Sequence, residues 1–439
     1  MVKDDAIVHG GRKVLARNVG EAPLVLQLGG SVPEQLAAAA RAVVERLVGA
    51  GGGGGAAATE SANNGSEGTR LPATATEAAD AAAAAACGAS QAPFCEVNLN
   101  CGCPSERVRT HAFGAVLMRD APLVGRCMAA LREALPPHVQ VSVKCRLGVD
   151  DMDSYEELLG FVDAVHAASG VSVWILHARK CWLHGLTPAQ NRTVPPLRHE
   201  WVYRLAHERP ALKVVLNGGV KSVAEAKAHM AAAPIVGVML GRAAYHAPWD
   251  TLAAADWEVF GEAAPPEEER VTRRQVLERY KAYGGARMAE ACAAGLSLSE
   301  QYCLAHAIVK PLKELFSGET GRRWFSLAMN DSLAAWKQAS RLADKKGLAE
   351  TPGFSVPAVI DGALAALQSF KWGGECLDTP AGVSREERRR RRLAAKAEGA
   401  MAEGAAAAAD ELNAALRLDD AAAQAAADEA LAQPDTCGC

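Results

Sequence analysis

Aromatic residues make up only 5% of the 439 residues, and the sequence contains no run of 18 or more large apolar residues. A helix that crosses a bilayer needs about 20 such residues, so we expect no membrane span. The opening sequence MVKDDAIVHGG has no basic segment followed by an apolar one, which is the pattern of a secretory signal. We therefore expect an intracellular protein that is not secreted, with the cytoplasm and the organelles (plastid or mitochondrion) left open.

The sequence also lacks a disulfide framework and a metal-binding pattern. Its 12 cysteines are scattered along a long chain, which is typical of reduced thiols. Cys101 and Cys103 form a C-x-C pair, but no second Cys or His pair with ligand spacing lies nearby, so we expect no metal. The formal net charge of −4 neither favours nor excludes a nucleic-acid partner.

Two stretches lengthen the chain without adding a core. Residues 49–92 form a low-complexity Gly/Ala insert, and residues 379–439 combine an arginine run after Ser384 with alanine-rich sequence. Such compositions bury too little apolar surface to offset the entropy of ordering, so we expect an insert and a disordered tail. The arginine run is typical of a solvated charged segment, with nonspecific RNA contact or targeting as alternatives.

Six short apolar runs alternate with helical patterns in the first part of the chain. They are PLVLQL (23–28), CEVNLN (95–100), VQVSVKC (139–145), VSVWILH (171–177), LKVVLN (212–217) and VGVML (236–240). Near-continuous apolar strands between helices are typical of a parallel sheet in an α/β fold. Polar residues and glycines follow several strands, as at the mouth of a TIM (βα)8-type barrel, where loops carry the chemistry.

The sequence predicts two domains, and the first has fewer strands than a complete barrel. A complete barrel has eight strands and about 250 residues, whereas residues 1–48 and 93–262 supply six strands. We place the shortage at the N-terminus, because the first run follows a polar opening. Residues 265–375 show amphipathic helices and no strand run, which predicts an all-helical second domain. Residues 270–350 carry 14 Lys and Arg against 8 Asp and Glu, a net charge of +6.

Cys103 is the first candidate for chemistry. It follows the strand end Asn100 in NLNCGCPS, where glycine and proline favour a turn that exposes the thiol. A free thiol has a pKa of about 8.5, so it is protonated near neutral pH and can donate a proton. A small packed cysteine is the alternative.

Basic residues and glycines end four consecutive strands. The basic pairs are Lys144 with Arg146 and His177 with Arg179, followed by Asn217-Gly218-Gly219 and by Gly241-Arg242. Residues two apart lie on one side of a strand, and barrels place phosphate at their last two strands. Structural salt bridges and a satisfied core histidine are the alternatives for the single residues. Together they predict a phosphate cup, basic groups around a flat polar ligand and an exposed thiol, as an FMN enzyme requires.

With these motifs, the sequence resembles the tRNA-dihydrouridine synthases, in the A-type branch specific for U20 and U20a of the D-loop. The motifs are QLGG (27–30), NLNCGCPSERV (98–108), SVKCRLGVDDMDSYE (142–156), LHARKCWLHGLTPAQNRTVPPL (176–197), LNGGVKS (216–222) and VMLGRAAYHAPW (238–249). They occur in order within residues 1–350, apart from the insert. HARKxWLxGL followed by NRxxPPL is specific to this branch.

The resemblance implies an FMN enzyme that uses NADPH as its reductant. The residues implied to hold FMN are Gln27, Lys144, His177, Asn217, Gly218, Gly219, Gly241 and Arg242. Cys103 is implied to be the proton donor: C6 of the uridine receives a hydride from FMN, and Cys103 protonates C5 from the other face.

The resemblance also implies tRNA as the partner of a monomeric protein. The residues implied to contact the target nucleotide or the tRNA are Asn100, Arg146, Arg179, Asn191 and Arg192. The helical domain is implied to hold the tRNA body, in line with its charge of +6. The target uridine must leave the base stack to reach the flavin.

The N-terminus departs from the family pattern. Family members begin with a strand and an APM-type loop that also holds FMN, whereas Met1 aligns inside the next motif as MVKDDAIVHG. We therefore expect a barrel that lacks its first strand and most of its second, from a truncated gene model or a short isoform. A non-catalytic tRNA-binding remnant, or another FMN-dependent barrel oxidoreductase with a small-molecule substrate, is the alternative function.

Overall fold

The computed structural model describes residues 2–3, 23–48, 94–348, 350–351, 353–369, 374–384, 386–391, 393–394 and 398. The predicted insert at 49–92 and most of the predicted tail lie outside these residues. The chain divides into two compact units, Met1–Thr251 and Leu252–Cys439. The predicted boundary at 262–265 lies slightly later in the chain. Trp257 belongs to the second unit, where the Arg270 guanidinium lies over its ring.

A parallel sheet of seven strands, in chain order, forms the centre of the first unit. The strands are β1 (Val2–Lys3), β2 (Val25–Gly29), β3 (Glu96–Cys101), β4 (Gln140–Arg146), β5 (Val173–His177), β6 (Lys213–Asn217) and β7 (Gly237–Met239). The predicted parallel α/β sheet is thus confirmed, with six strands close to their predicted positions. The two-residue strand β1 pairs with β2 and was missed because two residues show no periodicity.

The strand register separates two faces of this sheet, because successive side chains point to opposite sides. One face is apolar and buried in the core; its members include Leu26, Leu28, Val97, Leu99, Val141, Val143, Trp174, Leu176, Val214 and Leu216. The other, which we call the site face, carries Gln27, Glu96, Asn98, Asn100, Ser142, Lys144, Arg146, His177 and Asn217. Nearly all the predicted strand-borne polar groups therefore share one side of the sheet.

Helices alternate with the strands, as the sequence predicts. They are α1 (Pro33–Val48), α2 (Glu106–Thr110), α3 (Ala121–Ala134), α4 (Tyr155–Ser169), α5 (His199–Glu208), α6 (Val223–Ala232), α7 (Arg242–His246) and α8 (Pro248–Leu252). Capping side chains begin three of them: Asp120 accepts from the Leu123 amide, and Ser154 and Ser222 do the same for α4 and α6. Helix α3 packs against α1 and α4. The βα alternation and the strand order are those of the TIM-barrel class.

The elements described in the second unit are helices. They are α9 (Ala255–Glu258), α10 (Arg273–Ala293), α11 (Leu298–Val309), α12 (Arg322–Lys345) and α13 (Val356–Ser369), with two 3-10 turns. Phe316 and Phe325 are fully buried between them, and the Trp336 ring stacks on Phe354. The Arg273 side chain is also buried, where its guanidinium pairs with Glu319 and donates to the Leu315 carbonyl. An unpaired buried charge would destabilise the fold, and Glu319 and the Leu315 carbonyl are the partners that prevent this for Arg273.

The prediction of a disordered tail from residue 379 differs from what the structure describes at residues 379–384 and 386–391. Leu377 and Ala381 are fully buried, and Pro380 forms an isolated antiparallel bridge with Thr272. In the arginine run, Arg388 pairs with Glu319 and Arg391 pairs with Glu267. These acidic partners lie far away in sequence, so composition alone could not reveal that they anchor the start of the tail.

Candidate active site at the carboxyl ends of the strands

The predicted site residues meet at one edge of the sheet, because the carboxyl ends of parallel strands lie side by side. The register pairs Asn100 of β3 with Lys144 of β4, and Arg146 of β4 with His177 of β5. His177 in turn pairs with Asn217 of β6. Five residues from four separate motifs are therefore neighbours on the site face.

A cavity of about 580 Å³ opens beyond the ends of β5, β6 and β7. Its lining includes six of the predicted cofactor residues, namely His177, Asn217, Gly218, Gly219, Gly241 and Arg242, together with Arg192. Gly218 and Gly219 have positive φ angles of +108° and +84°, which favour glycine. A Cβ at Gly219 would lie 2.6 Å from Leu197 Cδ1, so the Leu197 side chain would have to move to accept one.

His177 is an uncharged imidazole in a cationic environment. Burial and the nearby charges of Arg146, Lys144, Arg179 and Arg242 lower its pKa to about 2. Among the described residues its buried Nδ1 has no hydrogen-bond partner. A buried polar atom without a partner costs free energy, so this nitrogen is suited to a ligand's hydrogen bond.

Lys144 is held towards the same end of the sheet. Its Nζ donates to Asn217 Oδ1 at 3.1 Å, and Asn217 Nδ2 donates to the Met239 carbonyl at 2.8 Å. Burial lowers the pKa of Lys144 to about 8. The ammonium is therefore oriented and partly desolvated, two conditions that strengthen its interaction with a ligand's oxygen atoms.

The predicted Cys103 turn is present and is closed by Asn100. Asn100 Oδ1 accepts from the amides of Gly102 (3.1 Å) and Cys103 (3.0 Å), while Asn100 Nδ2 donates to Gln27 Oε1 at 2.8 Å. The Cys103 thiol is half-buried and lies 3.4 Å from Ser105 Oγ. Cys101, the other member of the pair, is fully buried, and burial raises its pKa well above the usual range. Cys103 is thus the accessible thiol of the two.

Comparison with known proteins identifies the family. A family model described as dihydrouridine synthase matches residues 59–297. A tRNA-dihydrouridine(20/20a) synthase of Xanthomonas axonopodis is 37% identical over 79% of this chain and 84% of that protein. Those of Xylella fastidiosa (41% identity, 57% of this chain and 59% of that protein) and Escherichia coli (39%, 60% and 63%) are also similar. This chain belongs to the dihydrouridine synthase family.

The dihydrouridine synthases are flavin-dependent oxidoreductases, and the residues of this site fit a flavin phosphate. The cavity is lined by paired glycines, the cation Arg242 and the ring of His177, whose buried Nδ1 has no partner among the described residues. Lys144 adds a second cation through its bond to Asn217. A phosphate on a flat, polar ring system matches this donor set. Of the eight predicted FMN residues, Gln27 and Lys144 do not line the cavity, and Gln27 accepts a hydrogen bond from Asn100 of the Cys103 turn.

Two residues predicted to contact tRNA are placed differently from the expectation. Arg146 is only 5% exposed, and its guanidinium donates to the carbonyls of Gly102, Lys180 and Asn191. Asn191 is fully buried, where it accepts from the Trp182 amide and donates to the Trp182 carbonyl. Both side chains form hydrogen bonds with main-chain atoms. They therefore connect the Cys103 turn to the loop after β5 and do not form an exposed surface for tRNA.

The other two arginines of this loop stay candidates for tRNA contact. Arg192 is exposed at the cavity, and its carbonyl lies 3.4 Å from the Arg242 guanidinium. Arg179 is half-buried and donates to the Pro195 carbonyl. Burial lowers the pKa of Arg179, and the positive charge of the neighbouring Arg242 lowers it further. An anion between these arginines would relieve that repulsion.

Gly114 supports the Cys103 turn, and sequence reasoning missed it. Its φ is +76°, and an added Cβ would lie 2.6 Å from the Cys103 carbonyl oxygen and 2.5 Å from Val108 Cγ1. The Ala115 amide donates to the same carbonyl at 3.0 Å. A glycine at the start of a helical pattern, shortly after the candidate thiol, was the available signal.

Two further features concern the described residues as a whole. No helix among them is both long and apolar enough to cross a membrane. Nor do they include a cluster of three or more His, Cys, Asp or Glu side chains able to hold a metal ion.

Proposed function

We propose that this protein reduces uridines 20 and 20a of the tRNA D-loop to dihydrouridine, with FMN as cofactor and NADPH as reductant. The relatives named above carry this activity in their names and are 37–41% identical. The observation that carries the proposal is the Cys103 turn at the same edge as the cavity of His177, Asn217 and Gly218.

The chain's own residues have separable roles in this reaction. Lys144, His177, Asn217 and the glycine pair would hold FMN, which when bound supplies the hydride for C6 of the uracil ring. The Cys103 thiol donates its proton to C5, and the thiolate regains a proton from solvent. In total, uridine, NADPH and one proton give dihydrouridine and NADP⁺. General acid catalysis of this kind typically contributes about 10²–10⁴-fold to a rate.

We propose further that the helical unit binds the tRNA body. Its segment 270–350 has a net charge of +6, in a chain of net charge −4. Lys337, Arg341 and Lys345 follow one another at four-residue spacing along α12, and all three are exposed. Residues at this spacing share one face of a helix, so they form a basic stripe suited to phosphates.

The test combines purified protein with a tRNA that lacks dihydrouridine. We expect a flavin absorption spectrum, NADPH consumption and dihydrouridine at positions 20 and 20a. Cys103→Ala should bind the same tRNA with similar affinity but reduce it at least about a hundredfold more slowly. Cys292→Ala, which removes an exposed thiol of the helical unit, should leave the rate unchanged.

Three outcomes would contradict the proposal. A colourless protein that binds tRNA would support the non-catalytic remnant. A flavoprotein that oxidises NADPH but leaves tRNA uridines intact would support a small-molecule substrate. A Cys103→Ala variant with nearly normal dihydrouridine formation would show that another group is the acid.

A further inference from the structure

A chain of hydrogen bonds on the site face connects Glu96, at the start of β3, with the Cys103 turn. Ser142 Oγ donates to Glu96 Oε1, Asn98 Nδ2 donates to Ser142 Oγ (2.7 Å), and Gln27 Nε2 donates to Asn98 Oδ1 (2.7 Å). Asn100 Nδ2 donates to Gln27 Oε1 (2.8 Å), and the Cys103 amide donates to Asn100 Oδ1 (3.0 Å). We call Glu96, Ser142, Asn98, Gln27 and Asn100 the amide relay.

The register explains how these five side chains meet. Glu96, Asn98 and Asn100 alternate along β3, so all three lie on the site face. Asn98 is flanked by its register partners Gln27 on β2 and Ser142 on β4. Asn98 and Ser142 are 1% and 0% exposed, so water does not compete for their bonds.

The bonds of the relay all point in one direction. Every link donates towards Glu96, and the relay ends at main-chain amides on one side and at a carboxylate on the other. A main-chain N–H can only donate and a carboxylate can only accept, so the two ends impose the same orientation on each amide between them. If the Gln27 amide were rotated by 180°, its oxygen would face Asn98 Oδ1 and its nitrogen would face Asn100 Nδ2. Both hydrogen bonds would then be lost.

We infer that Glu96 is a positioning residue for the Cys103 turn, acting through Ser142 and the amides of the relay. Its carboxylate selects one of the two amide orientations of Asn98, Gln27 and Asn100. In that orientation Asn100 Oδ1 faces the amides of Gly102 and Cys103 and holds the thiol in place. This inference rests on the proposed function only in taking Cys103 as the acid.

The selected orientation also determines what the site offers to a ligand. Each amide nitrogen carries two hydrogens, and the relay uses one of them on Gln27 and one on Asn100. The second hydrogen of each side chain remains available as a donor. Outside its own bonds the relay thus leaves one N–H on Gln27, one N–H on Asn100 and one lone pair of Gln27 Oε1.

Amide hydrogen exchange of the ligand-free protein tests the inference without flavin or tRNA. A peptide that covers residues 100–105 reports on the amides of Gly102 and Cys103. We expect Ser142→Ala, and the double variant Glu96→Leu/Ser142→Ala, to raise their exchange about three- to tenfold, the loss of one or two hydrogen bonds. Peptides from α4 should be unchanged. The double variant removes both partners of the bond between Ser142 and Glu96, so it leaves no carboxylate without its donor. It should therefore fold even if the single variant Ser142→Ala does not.

Conservative variants separate positioning from general packing. Ser142→Thr keeps the hydroxyl and Glu96→Gln keeps an acceptor oxygen, so both should retain nearly normal protection of residues 102–103. Ser169→Ala is the matched control, since Ser169 is a buried hydroxyl of α4 that donates to the Val165 carbonyl outside the relay. It should lower the melting temperature without changing exchange at residues 102–103.

The inference is overturned if Ser142→Ala and the double variant fold but leave exchange at residues 102–103 unchanged. It is also overturned if Ser169→Ala raises that exchange equally, since the effect would then be general. Faster exchange in a protein that forms no dihydrouridine would refute the proposed function and leave the positioning role of Glu96 intact. In the active enzyme, Ser142→Ala should lower kcat more than it raises KM for tRNA.

Discussion

Lys144 and His177 show how the same burial acts on two basic side chains. Burial disfavours the charged form of each, and His177 is further opposed by four neighbouring cations. The imidazole therefore stays neutral at every ordinary pH, whereas the pKa of Lys144 falls only to about 8. Near neutral pH the site thus combines a charged ammonium with an uncharged hydrogen-bonding ring.

The first prediction concerns the pH dependence of FMN affinity. The charged Lys144 attracts the oxygen atoms of a ligand, so its contribution is present below pH 8 and is lost as the pH rises through the pKa. We expect FMN affinity, measured by quenching of flavin fluorescence, to fall between pH 7 and 9. The fall is about tenfold for each unit by which the ligand raises the pKa of Lys144. Lys144→Arg stays charged over this range, so its FMN affinity should not fall between pH 7 and 9. If the affinity of this variant falls as in the wild type, Lys144 is not the group that titrates.

A second prediction concerns Gly114. In Gly114→Ala, the new Cβ would collide with the Cys103 carbonyl oxygen and with Val108, at a positive φ that alanine rarely adopts. We expect a loss of about 1–3 kcal/mol in the free energy of unfolding and a slower reduction of tRNA. Chemical denaturation and the dihydrouridine assay measure both.

Gly160→Ala is the matched control for Gly114→Ala. Gly160 lies within α4, is exposed, and has no neighbouring atom within 4 Å of an added Cβ. Alanine in a helix interior is more stable than glycine by about 0.5–1 kcal/mol, so this variant should be slightly stabilised. Equal destabilisation of both variants would show that the contact at Cys103 is not the cause.

At the scale of elements, the loop after β4 is bound to the loop after β5. Asp153 Oδ2 accepts from Lys180 (2.7 Å) and Asp153 Oδ1 from Arg198 (2.6 Å). Asp150, at a positive φ of 48°, accepts from the Leu183 amide at 2.7 Å. The sequence motif DDMDSYE contains both aspartates, yet nothing in it showed that they hold the loop that carries Arg179 and Arg192.

Removing the Asp153 charge should loosen this loop. Burial raises the pKa of the carboxyl, but the bonds from Lys180 and Arg198 outweigh it and leave the pKa below its usual range. The ion pairs are therefore intact at neutral pH and are lost only as the pH falls through that lowered pKa. We expect Asp153→Asn to raise KM for tRNA about two- to fivefold with unchanged FMN affinity, since partly exposed pairs contribute about 1 kcal/mol or less.

Asp151→Asn serves as the comparison for Asp153→Asn. Asp151 is 89% exposed and pairs with Arg119. An ion pair of this kind contributes little to stability, so the variant should match the wild-type KM. If both variants raise KM alike, the effect comes from the negative charge of the segment and not from the anchoring of the loop.

At the scale of the whole molecule, the two units carry charge of different kinds. The first unit places Arg192 and Arg242 at the cavity and Lys144 beside it, bonded to Asn217. The second carries Lys337, Arg341 and Lys345 on an exposed helical face. A cavity suits a compact phosphate and an exposed stripe suits a polymer, which is why we assign flavin to one unit and the tRNA body to the other.

The assignment of the basic stripe predicts the salt dependence of tRNA binding. Each neutralised phosphate contributes about −0.7 to −0.9 to the slope of log K against log salt concentration. Lys337→Gln/Arg341→Gln should therefore make the slope less negative by about 1.4 to 1.8, with FMN affinity unchanged. Filter binding from about 50 to 200 mM salt measures it. Arg287→Gln, at a residue paired with Glu290, should leave the slope unchanged; an unaltered slope in the double variant would exclude this stripe.

Much of the fold and of the site could be predicted because the signals are local. The run EVNLN shows a strand, and the segment NCGCPS shows the turn at Cys103, since glycine and proline act within a few residues. Asn217, Gly218 and Gly219 line the cavity, and their position at a strand end could be read for the same reason: glycines there mark a close approach. Strand β1 was missed because two residues carry no period.

Only the tertiary structure decided which polar groups meet a ligand and which hold the chain together. Arg146 and Asn191 have the residue types of tRNA contacts, but strand register and loop packing bury both against main-chain carbonyls. The amide relay and the docking of Arg388 on Glu319 join residues far apart in sequence. The sequence by itself determined the family, six of the seven described strands and the turn at Cys103, because these depend on short patterns. Hydrogen-bond partners depend on neighbours that folding supplies, so they had to be read from the structure.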